Sequence, residues 1–257
     1  HVNGWGFVWT VTAVGATHVV AGNIEAEDLA DRVRRERITA LCAGRATLAG
    51  LRALDAHPLE VCPDLHTRVL FAAAAPSAGL IQRVETHWGW DITQAYGLSE
   101  TSPFLTLCEP RPEHATLDAA GRYRIKARQG VPLLTACELR VVDEEGLDVP
   151  ADGQTLGEVV ARGPMLMKGY YRDADATARA FAGGHLHTGD AAVMHPDGYI
   201  EIRDRLKDII ISGDEIISSI EIEEALAQHP EVRDVAVVGR PDDVLGERVD
   251  QIIVKTG

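Results

Sequence analysis

The stretch QAYGLSETSP, residues 94–103, sets an aromatic ring, Tyr96, beside Gly97 and flanks one carboxylate, Glu100, with the hydroxyls of Ser99 and Thr101. A ring can stack on a flat base, a residue without a Cβ lets backbone approach a ligand, and a carboxylate among hydroxyls suits a phosphate and Mg2+. An ordinary polar turn with a half-buried tyrosine fits the same residues. HLHTGD, residues 185–190, offers a second set. His185 and His187 would share one face of a strand and, with Asp190, partly match the His-x-His-x-Asp-His pattern of metal-dependent hydrolases, with the closing histidine missing. Thr188-Gly189-Asp190 can equally be a turn whose carboxylate accepts two ribose hydroxyls, as the acids of dinucleotide sites do. The third stretch, DRLKDIIISGDEIISS at 204–219, joins four charges in five positions to a run of three isoleucines. A connection between domains would keep Asp204 to Asp208 solvated while Ile209 to Ile211 anchor the next sheet.

Hydrophobic spacing supplies the scaffold that would hold these stretches. EAEDLADRVRRERI places Ala26, Leu29, Ala30 and Val33 on one helical face; ITALCAG and RVLFAAAA read as short buried strands, and a helix carrying Leu80, Ile81, Val84 and Trp88 follows. Helices between apolar strands predict parallel βαβ packing over residues 1–100. QAYGLSETSP then falls at the carboxyl end of a parallel strand, where α/β sheets bind ligands. From 101 to 203 the texture becomes short alternating strands, CELRVVD, GEVVARG and YIEIR, between turns such as DEEG, PADG and HPDG, which predicts a small antiparallel sheet or barrel. After 204, DIIIS reads as a strand, Ser218 and Glu221 make a capping box opening the helix IEIEEALAQ, and VRDVAVVG is a further strand.

The chain has 257 residues, a size and apolar content for two or three compact units. With 25 Lys and Arg against 39 Asp and Glu, its formal charge of -14 repels nucleic acid and anionic membrane surfaces. Cys42, Cys62, Cys108 and Cys137 show no paired spacing, so reduced thiols rather than a disulfide framework or zinc knuckle are expected. No stretch approaches the ~20 apolar residues of a membrane span, and a cytoplasmic protein is expected.

Taken in order, QAYGLSETSP, GEVVARGPMLMKGYYRD, HLHTGD and GYIEIRDRLKDIIISGDEIISSIEIEEAL resemble the AMP-forming acyl-CoA synthetases of the adenylate-forming superfamily, which includes firefly luciferase and nonribosomal adenylation domains. The resemblance covers essentially the whole chain, and HVNGWGF with DEIISSIEIEEAL looks closest to the medium- and long-chain fatty acid branch. It implies an α/β plus β fold: a parallel α/β layer over 1–100, a small antiparallel β-barrel over 101–203, and over 204–257 a hinge with the start of a mobile C-terminal α+β domain. The implied reaction joins a carboxylic acid, expected to be a fatty acid, to ATP with loss of pyrophosphate and passes the acyl group to the thiol of coenzyme A. By resemblance Tyr96 stacks on adenine, Ser99 lies by the phosphate, Glu100 holds Mg2+, and Asp190 takes the ribose hydroxyls with Arg205 nearby. Ala73, Ala74, Pro76, Gln94, Gly97, Ile202 and Gly213 fall at nucleotide- or cofactor-binding positions, His1 and Trp5 at the acyl pocket and tunnel gate. Lys207 is the implied pivot on which the cap swings between an adenylating and a thioester-forming pose.

Ala72-Ala73 stands where relatives show Gly-Gly, Asp214 where they have a second glycine, and AGRATLAG in place of Gly-x-Pro-Thr beside the acyl pocket. A Cβ or a carboxylate in a narrow passage takes room, and a charge there must be desolvated. The family's phosphate loop and adenylating lysine are expected in flanking segments, so this chain alone is expected to bind nucleotide weakly and turn over little. Two other readings fit: an adenylate-binding relative without catalysis, and an adenylating enzyme with another acceptor, either a carrier-protein thiol or a luciferase-like oxidase.

Overall fold

The computed structural model describes residues 6–22, 25–44, 47, 64–72, 76–133, 138–213, 215–227, 229, 231–242 and 244–255. By contacts the chain divides into two units, residues 1–138 with 162–177, and 139–161 with 178–257.

The first unit opens with helices α1 (Phe7–Ala13) and α2 (Ala26–Arg35), then strands β1 (Ala40–Ala43) and β2 (Arg68–Phe71), helix α3 (Ala78–Trp88) and strand β3 (Asp91–Tyr96). β1, β2 and β3 pair in parallel, and α3 makes the crossover that a parallel β2–β3 pair requires. Leu29 and Val33 on α2 and Ile81 and Val84 on α3 are buried with Val69 and Phe71 of β2, so each helix covers the sheet with its apolar face. α3 starts where Ser77 Oγ accepts the Leu80 N–H (3.3 Å) and stops at Gly89, in the left-handed region that spares glycine a Cβ clash.

Strands β4 (Thr106–Cys108) and β5 (Val131–Pro132) extend this sheet antiparallel, giving the order β1-β2-β3-β4-β5. Between them lies helix α4 (Ala119–Lys126). Lys126, at its end, is buried and donates to Glu85 of α3 and to Asp91 Oδ1 (2.7 Å) at the start of β3. Glu85 Oε1 also accepts the Ile92 N–H (2.9 Å), so one ionic cluster joins both helices to the strand.

The second unit contains two sheets. β6 (Glu138–Val142), β7 (Leu156–Arg162), β8 (Leu186–Met194) and β9 (Ile200–Arg205) lie in that order; β7, β8 and β9 pair antiparallel, and helix α5 (Ala174–Ala180) precedes β8. The alternation of VVARG and YIEIR is therefore sheet-forming, but among the described residues the sheet is open, with β6 and β9 at its edges, rather than a barrel. A short run of strands closes only when its first and last members can pair, and these do not.

β10 (Ile210–Ser212), β11 (Glu215–Ile217), helix α6 (Ser219–Ala227) and the hairpin β12 (Val232–Asp242) and β13 (Gly246–Lys255) form the second sheet, in the order β11-β10-β13-β12. Ile210, Val235 and Val237 form its core, with Ile222 and Leu226 of α6 packed against them. Only Ile210 of the isoleucine run is buried, at 1% exposure; Ile211 faces outward at 57%, as period-two alternation on a one-sided sheet demands.

Candidate active site

Tyr96 ends β3 at the carboxyl edge of the parallel strands and is nearly buried. The chain then turns tightly through a single 3-10 turn at Ser99–Thr101. Thr101, fully buried, organises it: its hydroxyl donates to the Pro103 carbonyl (2.7 Å), and its oxygen accepts the Leu98 N–H (2.9 Å). A Cβ at Gly97 would collide with the Pro103 carbonyl, so the turn closes only around glycine. Ser99 is left exposed and Glu100 partly so.

Residues 162–177 clamp Glu100. Its backbone carbonyl accepts the Met167 N–H (2.7 Å), and its Oε1 accepts the Tyr170 hydroxyl (3.0 Å). Burial raises the Tyr170 pKa, and the hydrogen bond and charge of Glu100 push it the same way. Glu100 and Ser99 offer hard oxygen donors, and among the described residues no group of three or more His, Cys, Asp or Glu could hold a metal. A single carboxylate such as Glu100 is the kind of donor that Mg2+ commonly shares with phosphate oxygens and water.

In the second unit, β8 is bulged opposite β7. Glu158 pairs with Ala191 and Val160 with His187, so Thr188-Gly189-Asp190 faces the single residue Val159. Extra residues in one strand re-aim side chains, and Gly189 takes φ +72° to allow it. The bulge is braced: Glu158 Oε1 accepts the Gly189 N–H (2.9 Å), Glu158 Oε2 lies 2.7 Å from His187 Nδ1, and the Thr188 hydroxyl donates to the Val159 carbonyl (2.7 Å). Asp190, 4% exposed, meets Arg205 of β9 with Nε 2.8 Å from Oδ1.

The expected site residues that are described now have positions. Gln94 is buried on β3; in the amide orientation that satisfies both ends it donates to the Ala127 carbonyl (3.0 Å) and accepts from Gln129 Nε2 (2.9 Å). Pro76 is buried just ahead of α3. Ile202 is partly buried on β9, opposite Ala192. Lys207 is exposed in the turn after β9, and Gly213 donates its N–H to the Leu245 carbonyl (2.8 Å). Tyr96, Gly97, Ser99 and Glu100 gather in the first unit; Asp190 and Arg205 meet in the second. His1, Trp5, Ala73, Ala74 and Asp214 lie outside the described residues. His187 spends both ring nitrogens on protein oxygens, Glu158 and the Ala182 carbonyl (3.2 Å).

Sequence reasoning missed three residues. Glu158 and Tyr170 stand in GEVVARGPMLMKGYYRD, but their partners are 31 and 70 residues away, a distance no local pattern reports. Asp204, expected to stay solvated, is 2% exposed because its carboxylate takes the Ser219 N–H and hydroxyl.

A buried carboxylate paired with a half-exposed guanidinium in the second unit, and a glutamate-bearing turn at the end of a parallel strand in the first, are carried on the fold of adenylate-forming enzymes. The structure aligns over its whole length with o-succinylbenzoate CoA synthetase from Bacillus subtilis in complex with its acyl-adenylate intermediate, at a TM-score of 0.84 and 25% identity, covering 49% of that chain. The chain belongs to the AMP-binding enzyme family: that family's model matches residues 1–171, and the model of its C-terminal domain matches 221–257. It is 40% identical to a 2-methylpropanoate–CoA ligase of Humulus lupulus, over 96% of this chain and 44% of that protein. It is also 40% identical to a peroxisomal acetate/butyrate–CoA ligase of Arabidopsis thaliana, over 95% of this chain and 43% of that protein. The chain thus spans less than half the length of either relative.

Proposed function

We propose that this chain carries the nucleotide-gripping centre and hinge of an enzyme that condenses a carboxylic acid with ATP and passes the acyl group to coenzyme A. The braced Asp190–Arg205 pair carries the reading. Two vicinal hydroxyls need an acceptor fixed in direction, and a bulge held by Glu158 and Thr188 supplies one at little cost in ordering. Tyr96 gives the flat surface for adenine, with Gly97 allowing close approach. By resemblance to the family, Ala73, Ala74, Pro76, Gln94 and Ile202 stand at nucleotide-binding positions. Glu100, oriented by Tyr170, holds Mg2+ with Ser99 beside the phosphate; the ion, when bound, offsets charge developing on the phosphoryl group.

Residues 1–100 then act as the second α/β subdomain of the larger body, 101–203 as its antiparallel part, and 204–257 as the hinge and the first part of a swivelling cap. Lys207 is the pivot, and Gly213 lies on the coenzyme A side of the moving segment. A cytoplasmic setting goes with this reading, and no described helix is long and apolar enough to cross a membrane.

The relatives' names favour a short aliphatic acid over the long fatty acid suggested by His1 and Trp5. The test is pyrophosphate release by the longest protein that contains this chain, with acids from acetate to palmitate and with coenzyme A present or absent. Acid-dependent release followed by an acyl-CoA of matching mass is the expected result. Nucleotide binding without acid-dependent release would leave a binding module instead.

A further inference from the structure

A clasp of buried polar groups straddles Lys207. Asp204, at 2% exposure, accepts the Ser219 N–H (2.7 Å) and the Ser219 hydroxyl (2.8 Å) at Oδ2, while Oδ1 accepts the Arg205 N–H (2.8 Å). Next to it, the Ser218 hydroxyl donates to the Arg203 carbonyl (2.7 Å), and its oxygen accepts the Glu221 N–H (3.2 Å). Three hydrogen bonds thus tie the end of β9 to the first turn of α6, and Lys207 with the β10–β11 hairpin lies inside the loop they close.

Helix capping alone does not account for this. Ser218 already serves the end of α6 through Glu221, so the carboxylate arriving from upstream is additional. Burying Asp204 is unfavourable unless its donors are in place, and the bonds that offset this burial come from Ser219, beyond the pivot. Any rotation at Lys207 that carries α6 away from β9 breaks all three bonds.

We propose that Asp204 and Ser219 form a latch that stabilises the present arrangement of β9 and α6, and so sets how the protein divides its time between two cap poses. The assignment rests on the hinge reading above. A two-state equilibrium shifts only by what distinguishes the states, and these bonds exist in one state alone. Asp204 and Ser219 are positioning residues: they act on the half-reactions through the cap without touching the reacting atoms.

Hydrogen exchange of this chain reads the latch without catalysis. Asp204→Asn and the milder Ser219→Ala, each checked by thermal melting for an intact fold, should speed exchange in the first turn of α6 by about tenfold or more, the scale of a lost charge-assisted bond. The β12–β13 amides should be unchanged. In the longest protein containing the chain, both variants should shift the ratio of thioester to adenylate formation in the same direction, severalfold, where simple destabilisation would lower both rates together. Unaltered exchange in α6, or accelerated exchange with an unaltered ratio, overturns the latch. If the unmodified protein forms no adenylate at all, the enzymatic reading fails, and the exchange result alone decides whether the clasp holds α6 to β9.

Discussion

Asp190 and Gly97 show how much a single residue type decides. Replacing Asp190 with Ala removes a nearly buried acceptor and leaves Arg205 without its partner, so ATP affinity in the longest protein should fall by roughly 1.5–3 kcal/mol, measured by calorimetry. Unchanged affinity would remove the ribose assignment. Gly97→Ala drives a methyl into the Pro103 carbonyl and should lower stability by about 1–3 kcal/mol, seen as a reduced denaturation midpoint. Both residues could be singled out from their motifs, because a glycine at a strand end and an aspartate beside Thr188-Gly189 are chemically marked, though Asp190 proves to sit in a bulge inside β8 rather than in a turn. Tyr170 and Glu158 could not, since their roles depend on partners brought close only by folding. Asp204 was misjudged for a related reason: a charge in a linker looks solvated until a serine beyond it turns back to bind it.

At the scale of elements, the Lys126 cluster holds α4 and α3 to β3, the strand that ends at Tyr96. Burial alone would lower the Lys126 pKa, but hydrogen bonds and charge from Asp91 and Glu85 outweigh it and raise the pKa above 10.5. The stabilisation is therefore complete below the unfolded value and lost as pH rises through the folded one. Urea melts across the alkaline range should show this decline in the unmodified chain, and a shallower one in Lys126→Met, where the raised Tyr170 pKa still contributes. At neutral pH the same variant leaves Glu85 without its cation and should lose about 3–5 kcal/mol. Helices α2, α3 and α6 and the parallel strands were legible from apolar periodicity, and the Ser218 cap from its spacing, whereas α1, α4 and α5 were not foreseen. That the antiparallel sheet stays open was not legible either, because alternation specifies a one-faced strand but not which strands meet at the edges.

The whole molecule carries a formal charge of -14, so its like charges repel one another more in the compact state than in the expanded one. Raising ionic strength from about 0.01 M to 0.15 M shortens the screening length from ~30 to ~8 Å, and should raise the melting temperature. A fall would mean that specific ion pairs outweigh the net repulsion. The two units are not consecutive: residues 162–177, with the tyrosine that binds Glu100, belong with the first 138 residues, and residues 139–161 belong with 178–257. By itself the sequence determined the family and the parallel layer, because periodicity, turn chemistry and motif spacing are properties of neighbours along the chain. Only the tertiary structure decided that the antiparallel sheet stays open, that Glu158 braces the bulge before Asp190 and Tyr170 holds Glu100, and that Asp204 is locked to Ser219. Those outcomes depend on which distant groups satisfy one another once water is excluded, and that competition is settled in space.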